Sequence, residues 1–169
     1  ITHNANHPNT YGLAKFSSYL GAEGVFFGGK VSGSKNITSS FKLLTMGTMF
    51  NCDKNDFTGN ITAESGIVCA KDTSNLPRVG TPLGRNNHIY ATNGSGRVDL
   101  GGFITGEGQT LHLAGKNESF NNVNGVLFST FAKPGEYSKW CGNVVLEGDT
   151  WIGGTLGGDS YPRNQYPVD

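Results

Sequence analysis

Two stretches of the chain determine the predicted fold: residues 57–70 read FTGNITAESGIVCA, and residues 88–115 read HIYATNGSGRVDLGGFITGEGQTLHLAG. In both, short runs of residues with high β-propensity are interrupted by Gly, Asn or Ser about every ten residues. Neither stretch has the 3.6-residue spacing of apolar side chains that marks an amphipathic helix. The two stretches therefore predict short β-strands joined by tight turns.

The pattern within these stretches predicts which residues are buried. Apolar residues and glycine alternate with polar residues over 57–63, as in a strand with one buried face. Leu111 and Leu113 have the same spacing and are predicted to face inward. Asn93-Gly94 supplies the positive φ angles of a tight turn and predicts a β-hairpin at this point.

The composition excludes several classes of protein. Glycine accounts for 26 of the 169 residues, well above its usual share of roughly 7%, which favours many turns. Charged residues make up 15% of the chain, with 13 basic and 13 acidic side chains, so no electrostatic attraction to nucleic acid or anionic membrane is expected. The apolar runs are too short for a transmembrane helix, and we expect no membrane insertion.

These features together predict an all-β fold, either an antiparallel β-sandwich or an elongated, fibre-like β domain. The prediction allows one short helix near the N-terminus, over residues 13–20, whose sequence is LAKFSSYL. Residues 1–169 are predicted to form a single domain. The loop 71–87 contains two prolines, and the alternative is that it joins two lobes, 1–75 and 86–169.

Three cysteines bear on the redox environment. Cys52 and Cys69 flank two strand-like runs, as a disulfide across a hairpin would, and we predict a bridge between them. Cys141 is then the odd thiol, and the alternative is three free thiols in a cytosolic protein. The spacing does not match a zinc site. Residues 24–30 have the outline GxxxxGK, but the apolar interior does not suit a phosphate loop; no cofactor is predicted.

The candidate ligand-binding residues lie in the last fifth of the chain. This part of the chain is rich in aromatic residues with polar neighbours. In general, sugar rings stack on aromatic side chains and polar side chains bind sugar hydroxyls, and such residues also anchor protein partners. The alternative is that the tryptophans belong to the core. The predicted binding residues are Tyr137, Trp140, Trp151, Asp159, Tyr161, Arg163 and Tyr166.

No catalytic signature is present, which favours binding over turnover. Glu147, Asp149 and Asp159 are candidates for the paired carboxylates of a glycoside hydrolase. His88 and His112 lie in strand-like runs and are interpreted as structural or surface residues.

Three segments resemble the Gly- and Asn-punctuated repeats of bacterial and phage surface fibres. They are NDFTGNITAESGIV (55–68), NNHIYATNGSGRVDLGGFITGEGQTL (86–111) and YGLAKFSSYLG (11–21). The similar families are the type IV pilus-tip adhesins (minor pilins) with exchangeable C-terminal segments, and the phage tail fibres. The resemblance implies that the distal part, 135–169, binds host polysaccharide or a surface protein, and that the chains form homotrimers or fibre subunits.

The sequence thus predicts an exported adhesin or receptor-binding domain that recognises a cell-surface glycan or surface protein. Its expected location is extracellular or on a cell surface: a pilus tip, a fimbria or a virion. Two alternatives stay open. One is a polysaccharide-degrading enzyme on a β-helix or jelly-roll scaffold, and the other is a structural capsid or pilus subunit without a soluble ligand.

Overall fold

The computed structural model of the chain describes residues 24–41, 47–70, 78–116, 125–129 and 137–153. These residues form thirteen short β-strands, and every strand pairing among them is parallel. The strands are β1 (Gly24–Phe27), β2 (Ile37–Ser39), β3 (Gly47–Phe50), β4 (Ile61–Ala63), β5 (Gly66–Ala70), β6 (Arg78–Val79), β7 (His88–Ala91), β8 (Gly96–Asp99), β9 (Phe103–Thr105), β10 (Thr110–Gly115), β11 (Leu127–Phe128), β12 (Lys139–Trp140) and β13 (Asn143–Thr150).

The strands form three sheets that the chain visits in turn. The first sheet has the order β1-β3-β5-β8-β11, the second β13-β10-β7-β4-β2, and the third β12-β9-β6. Register partners in adjacent strands are separated by 20 residues (Gly47 and Ile67) to 35 residues (Ile104 and Lys139). The chain therefore winds as a parallel β-solenoid in which each coil stacks on the preceding one.

The all-β prediction agrees with the described residues, but the predicted antiparallel arrangement is wrong. The Asn93-Gly94 turn shows the reason. Gly94 has a φ of 75°, and the Asn93 Oδ1 accepts hydrogen bonds from the amides of Ser95 and Gly96. The strands on either side belong to different sheets, because β7 lies in the second sheet and β8 in the first. The turn is a corner of the solenoid, and the predicted hairpin is not formed.

The solenoid interior is apolar. Alternation over 57–63 is confirmed, since Phe57, Ile61 and Ala63 are buried while Thr58 is exposed. Leu111 and Leu113 are also buried, as predicted. The buried residues of the main core are Phe50, Phe57, Ile61, Ala63, Val68, Ala70, Leu83, Ile89, Ala91, Val98, Leu100, Phe103, Leu111, Leu113 and Val126.

Three buried amide side chains tie the coils together at one corner. Asn55 accepts the Val31 amide at 2.8 Å through Oδ1 and donates to the Pro82 carbonyl at 2.7 Å. Asn87 donates to the carbonyls of Gly59 (2.8 Å) and Leu83 (3.1 Å). Gln109 donates to the Leu83 carbonyl at 2.9 Å and to the Asn87 Oδ1 at 2.5 Å. These bonds satisfy backbone carbonyls that the corner removes from the sheets.

The outer face of the first sheet is buried as well. Met49, Ile67 and Phe128 form a second apolar cluster there, with Phe26 packed against it. Arg97 and Asp99 are 3% and 1% exposed. The Arg97 guanidinium lies 6.0 Å from the centre of the Phe128 ring, and burial lowers its pKa. The outer face of the first sheet is therefore buried along β3, β5, β8 and β11.

The remaining sequence predictions concern the short helix, the loop 71–87, the segment that begins at Gly24 and the absence of a membrane-spanning helix. The predicted helix over 13–20 lies outside the described residues. Residues 71–77 of the loop 71–87 also lie outside the described residues. Strands that precede this loop pair with strands that follow it in the same sheets. Residues 24–27 form β1, a strand. Within the described ranges, no helix has the length and hydropathy needed to cross a membrane.

An exposed ion pair between two coils makes part of the stability of the fold depend on pH. Lys30 and Ser32 both donate hydrogen bonds to Asp56, and this lowers the pKa of Asp56 below its ordinary 3.8. A lowered pKa contributes stability above the ordinary value, and that contribution is lost as the pH falls through the lowered pKa. We expect Lys30→Met to raise the pKa of Asp56 toward 3.8 in a carboxyl NMR titration, and Lys54→Met to leave it unchanged. An unchanged pKa in Lys30→Met would contradict this account.

Candidate functional site

The outer face of the second sheet brings together titratable and aromatic side chains from three coils. Side chains on β7 and β10 alternate, and because Ile89 and Leu111 are buried in the core, their neighbours point outward. Parallel register places Tyr90 directly beside His112. We call the group His88, Tyr90, His112 and Glu147 the relay face.

Two hydrogen bonds join three of these side chains into a chain that we call the histidine relay. His88 Nδ1 lies 2.8 Å from His112 Nε2, and His112 Nδ1 lies 2.6 Å from Glu147 Oε1. An ionised carboxylate can only accept a hydrogen bond, so the neutral His112 carries its proton on Nδ1 and accepts through Nε2. His88 then donates through Nδ1, and its Nε2 carries the lone pair at the end of the relay.

Ring stacking reinforces the hydrogen bonds. The Tyr90 and His112 rings are 4.4 Å apart with an interplanar angle of 18°, and His88 and Tyr90 are 6.1 Å apart at 20°. The Tyr90–His112 stack follows from the fold, because neighbouring strands are about 4.8 Å apart and these two residues are register partners. His88 lies two residues before Tyr90 on the same face of β7. The ring positions are therefore set by the sheet rather than by a flexible loop.

An asparagine ladder continues the relay face toward the N-terminal coils. The Asn36 Oδ1 accepts the Asn60 amide at 3.0 Å, and the Asn60 Oδ1 accepts the His88 amide at 3.0 Å. Asn36 and His88 are exposed, and Asn60 is half-buried. Thr110 is the register partner of His88 on the other side, and Asn143 is the register partner of Thr110. The result is a row of polar side chains on one side of the solenoid.

The predicted binding residues that the structure describes do not form one cluster. Tyr137 is 55% exposed. The Trp140 indole donates to the Asn143 carbonyl at 3.0 Å, at the start of β13, and its ring lies against Gly106. Trp151 follows the end of β13, is 38% exposed, and has the Lys116 ammonium 5.4 Å from its ring centre.

The separation of the two tryptophans follows from the register. Thr110 pairs with Asn143 and Gly115 pairs with Thr150, so the indoles lie near opposite ends of β10. Five residue steps along a strand correspond to about 17 Å. Trp140 and Trp151 therefore cannot contact one sugar ring together.

The other predicted site residues have different outcomes. Asp159, Tyr161, Arg163 and Tyr166 lie outside the described residues. Among the candidate acids, Glu147 belongs to the histidine relay, while Asp149 is exposed further along β13. Across the described part of the chain, no group of three or more His, Cys, Asp or Glu side chains is arranged to hold a metal ion.

The cysteine prediction does not match the observed thiols. Cys52 is half-buried and Cys141 exposed, and both are free. Cys69 is the register partner of Met49, three residues before Cys52. The Asn51 amide still pairs with the Phe27 carbonyl at 3.1 Å, so the backbone runs on past the strand end. Three residues of extended chain span about 10 Å, more than the roughly 7 Å between Cα atoms that a disulfide can bridge. The structure thus lacks the predicted Cys52–Cys69 bridge.

The sequence interpretation missed the two histidines. It considered each one alone, as a structural or surface residue. Their separation of 24 residues is the same as that between Val31 and Asn55 and between Asn36 and Asn60, which also bond from coil to coil. The other pairs with this separation are identified only by the register, so the sequence alone does not indicate that His88 and His112 are neighbours.

Comparison of the chain with protein-family models, with curated proteins and with solved structures gives no match.

Proposed function

We propose that this chain is the carbohydrate-binding domain of an extracellular or cell-surface adhesin, and that the relay face holds the glycan. The observation that supports this proposal is the row of outward side chains on the second sheet. Imidazole, phenol, amide and carboxylate groups there offer donors and acceptors that match sugar hydroxyls. A glycan lying across these strands would contact side chains from several coils at once.

Pre-organisation of the relay face favours binding. His112 is bonded to both His88 and Glu147 and stacked on Tyr90, so its ring orientation is set before any ligand arrives. A ligand that binds ordered side chains does not have to immobilise them, and the affinity is higher for that reason. The outer face of the first sheet offers no comparable surface, because Met49 and Ile67 there are buried.

The exposed C-terminal aromatics fit the proposal as secondary contacts. Tyr137 and Trp151 present apolar surface to solvent on the last described coil. They lie on the part of the chain where the resemblance to surface fibres places recognition. Assembly into a homotrimer or a fibre subunit belongs to the same proposal, because the similar families present several copies of one binding domain.

The test is a glycan array on the wild-type chain and on Tyr90→Ala. We expect the wild-type chain to bind. For the glycan that it binds most tightly, we expect Tyr90→Ala to lower the affinity at least about tenfold. The Tyr90 ring stacks on His112 and lies at the centre of the relay face.

Val79→Ala is the control for that experiment. Val79 is 71% exposed and lies on β6 of the third sheet, so it is not part of the relay face on the second sheet. We expect its binding to equal that of the wild type. If Tyr90→Ala binds normally while Trp151→Ala or Tyr137→Ala does not, recognition is centred on the C-terminal aromatics and the relay face is not the site.

A second function, polysaccharide cleavage, is favoured by one specific observation. The Glu147 carboxylate orients His112, and His112 orients His88, so that the His88 Nε2 is presented as a general base. Release of reducing ends from the polysaccharide bound on the array, lost in His88→Gln, would support cleavage. Binding without release would support the adhesin proposal.

A further inference from the structure

We propose that the histidine relay is a pH-operated switch that accepts one proton without losing a hydrogen bond and opens when it takes up a second. This inference concerns the protein alone and does not depend on glycan binding. It rests on the direct contact between the two imidazoles and on the carboxylate at one end of the relay.

When both imidazoles are neutral, the geometry allows only one arrangement of protons. His88 Nδ1 and His112 Nε2 are 2.8 Å apart, so one of these nitrogens must be a donor and the other an acceptor. Glu147 accepts the His112 Nδ1 proton, which makes His112 Nε2 the acceptor. Both rings therefore carry their single proton on Nδ1.

The first added proton leaves the relay intact. It binds at the His88 Nε2, and the resulting imidazolium still donates through Nδ1 to His112. Alternatively the shared proton moves to His112 Nε2, and the His112 imidazolium lies between Glu147 and His88. In either arrangement every donor faces an acceptor.

The second proton removes the only acceptor between the rings. His88 Nδ1 and His112 Nε2 would then both carry hydrogen at a separation that requires a hydrogen bond, and two positive charges would lie on rings 5.1 Å apart. His112 is the better-held ring, with a side chain that is 14% exposed and bonded to Glu147. His88 is exposed, so it is the ring that moves outward.

The groups around the relay explain why His88, and not His112, is the ring that moves outward. Glu147 contacts His112 and stabilises the first positive charge, but it does not contact His88. Uncharged Asn60 and Thr62 border the rings on the β4 side. Among the residues that the structure describes, the titratable and charged groups on this face are Glu64 after β4, His88 and Tyr90 on β7, His112 on β10, and Glu147 and Asp149 on β13.

Opening changes the surface of the protein. When His88 leaves, the edge of His112 that it covered becomes accessible, while the Tyr90–His112 stack keeps its position through strand register.

Imidazole NMR on the wild-type chain tests the proposal directly. At pH 7.5 we expect nitrogen shifts that report the Nδ1–H tautomer for both His88 and His112. Between pH 7.5 and 5.0 we expect the cross-relaxation between the His88 and His112 ring protons to fall at least about threefold, while that between Tyr90 and His112 is unchanged.

Two variants separate a switch from a merely structural contact. In Glu147→Gln the amide can donate to His112 Nδ1, so the tautomer preference at pH 7.5 is expected to be lost although the fold is retained. In His88→Gln we expect the nitrogen shifts of His112 to change with pH in a single protonation step, because the second imidazole is absent. An Nε2–H tautomer for His112 in the wild type, or rings that stay in contact at pH 5.0, would overturn the proposal.

Discussion

Gly96→Ala is expected to destabilise the solenoid by at least about 3 kcal/mol, or to prevent folding. Gly96 begins β8, where the coil passes directly beneath the backbone of the preceding one. A Cβ atom at this position would overlap the Ala63 carbonyl oxygen and carbon. These are backbone atoms of a buried strand, so no side-chain rotation can relieve the overlap. Circular dichroism during thermal unfolding would measure the effect.

Gly29→Ala is the matched control for this prediction. No atom lies within 4 Å of a Cβ built at Gly29, and the residue is exposed. We expect its free energy of unfolding to differ from that of the wild type by less than about 0.5 kcal/mol. Equal stability of Gly96→Ala and Gly29→Ala would show that the coils are not stacked in the register described above.

Asn87→Ala is expected to lower the free energy of unfolding by about 3 kcal/mol. The Asn87 side chain is 2% exposed and makes three hydrogen bonds across the corner, to the carbonyls of Gly59 and Leu83 and from the amide of Gln109. Alanine leaves the Gly59 carbonyl buried without this donor, and it also leaves a cavity. Urea denaturation at neutral pH would give the difference.

Two further substitutions define what Asn87 contributes. Asn87→Asp keeps the shape but replaces the donating amide with a carboxylate, which cannot bond to the carbonyls of Gly59 and Leu83; we expect it to be at least as destabilising as alanine. Asn143→Ala, at an exposed asparagine, is expected to change the stability by less than about 0.5 kcal/mol. A small effect for both Asn87 variants would contradict the role of the amide.

The local features of the fold were predictable because they depend on neighbouring residues. The alternation over 57–63 and the spacing of Leu111 and Leu113 identify the buried face correctly, since strand periodicity acts within a few residues. The positive φ of Gly94 was also expected. What these local rules do not specify is whether a turn reverses the chain or leads it around a corner into another sheet.

The parallel stacking was not predictable from such rules. Partners in adjacent coils are 20 to 35 residues apart, and the separation changes from coil to coil. Without a constant repeat length, the sequence does not show that Gly96 lies under Ala63 or that Asn87 reaches Gly59. The antiparallel prediction is wrong because strands that follow each other along the chain lie in different sheets.

The candidate site was missed for the same reason. The sequence offers Glu147 as one of three candidate acids, and Trp140 and Trp151 as two of the seven candidate binding residues. The structure joins Glu147 instead to His112, 35 residues earlier, and places the two indoles at opposite ends of β10. Side chains that meet through stacking can be recognised only after the register is known.

The parallel stack also makes the molecule extensible. Each coil contacts chiefly the coil before and the coil after it, so an inserted coil disturbs only the junction that receives it. Duplicating residues 88–109, the 22 residues that separate the register partners His88 and Thr110, would lengthen the solenoid by about 4.8 Å and add a further His and Tyr to the row. A lineage carrying this fold can thus extend its contact surface by internal duplication, without redesigning the interior.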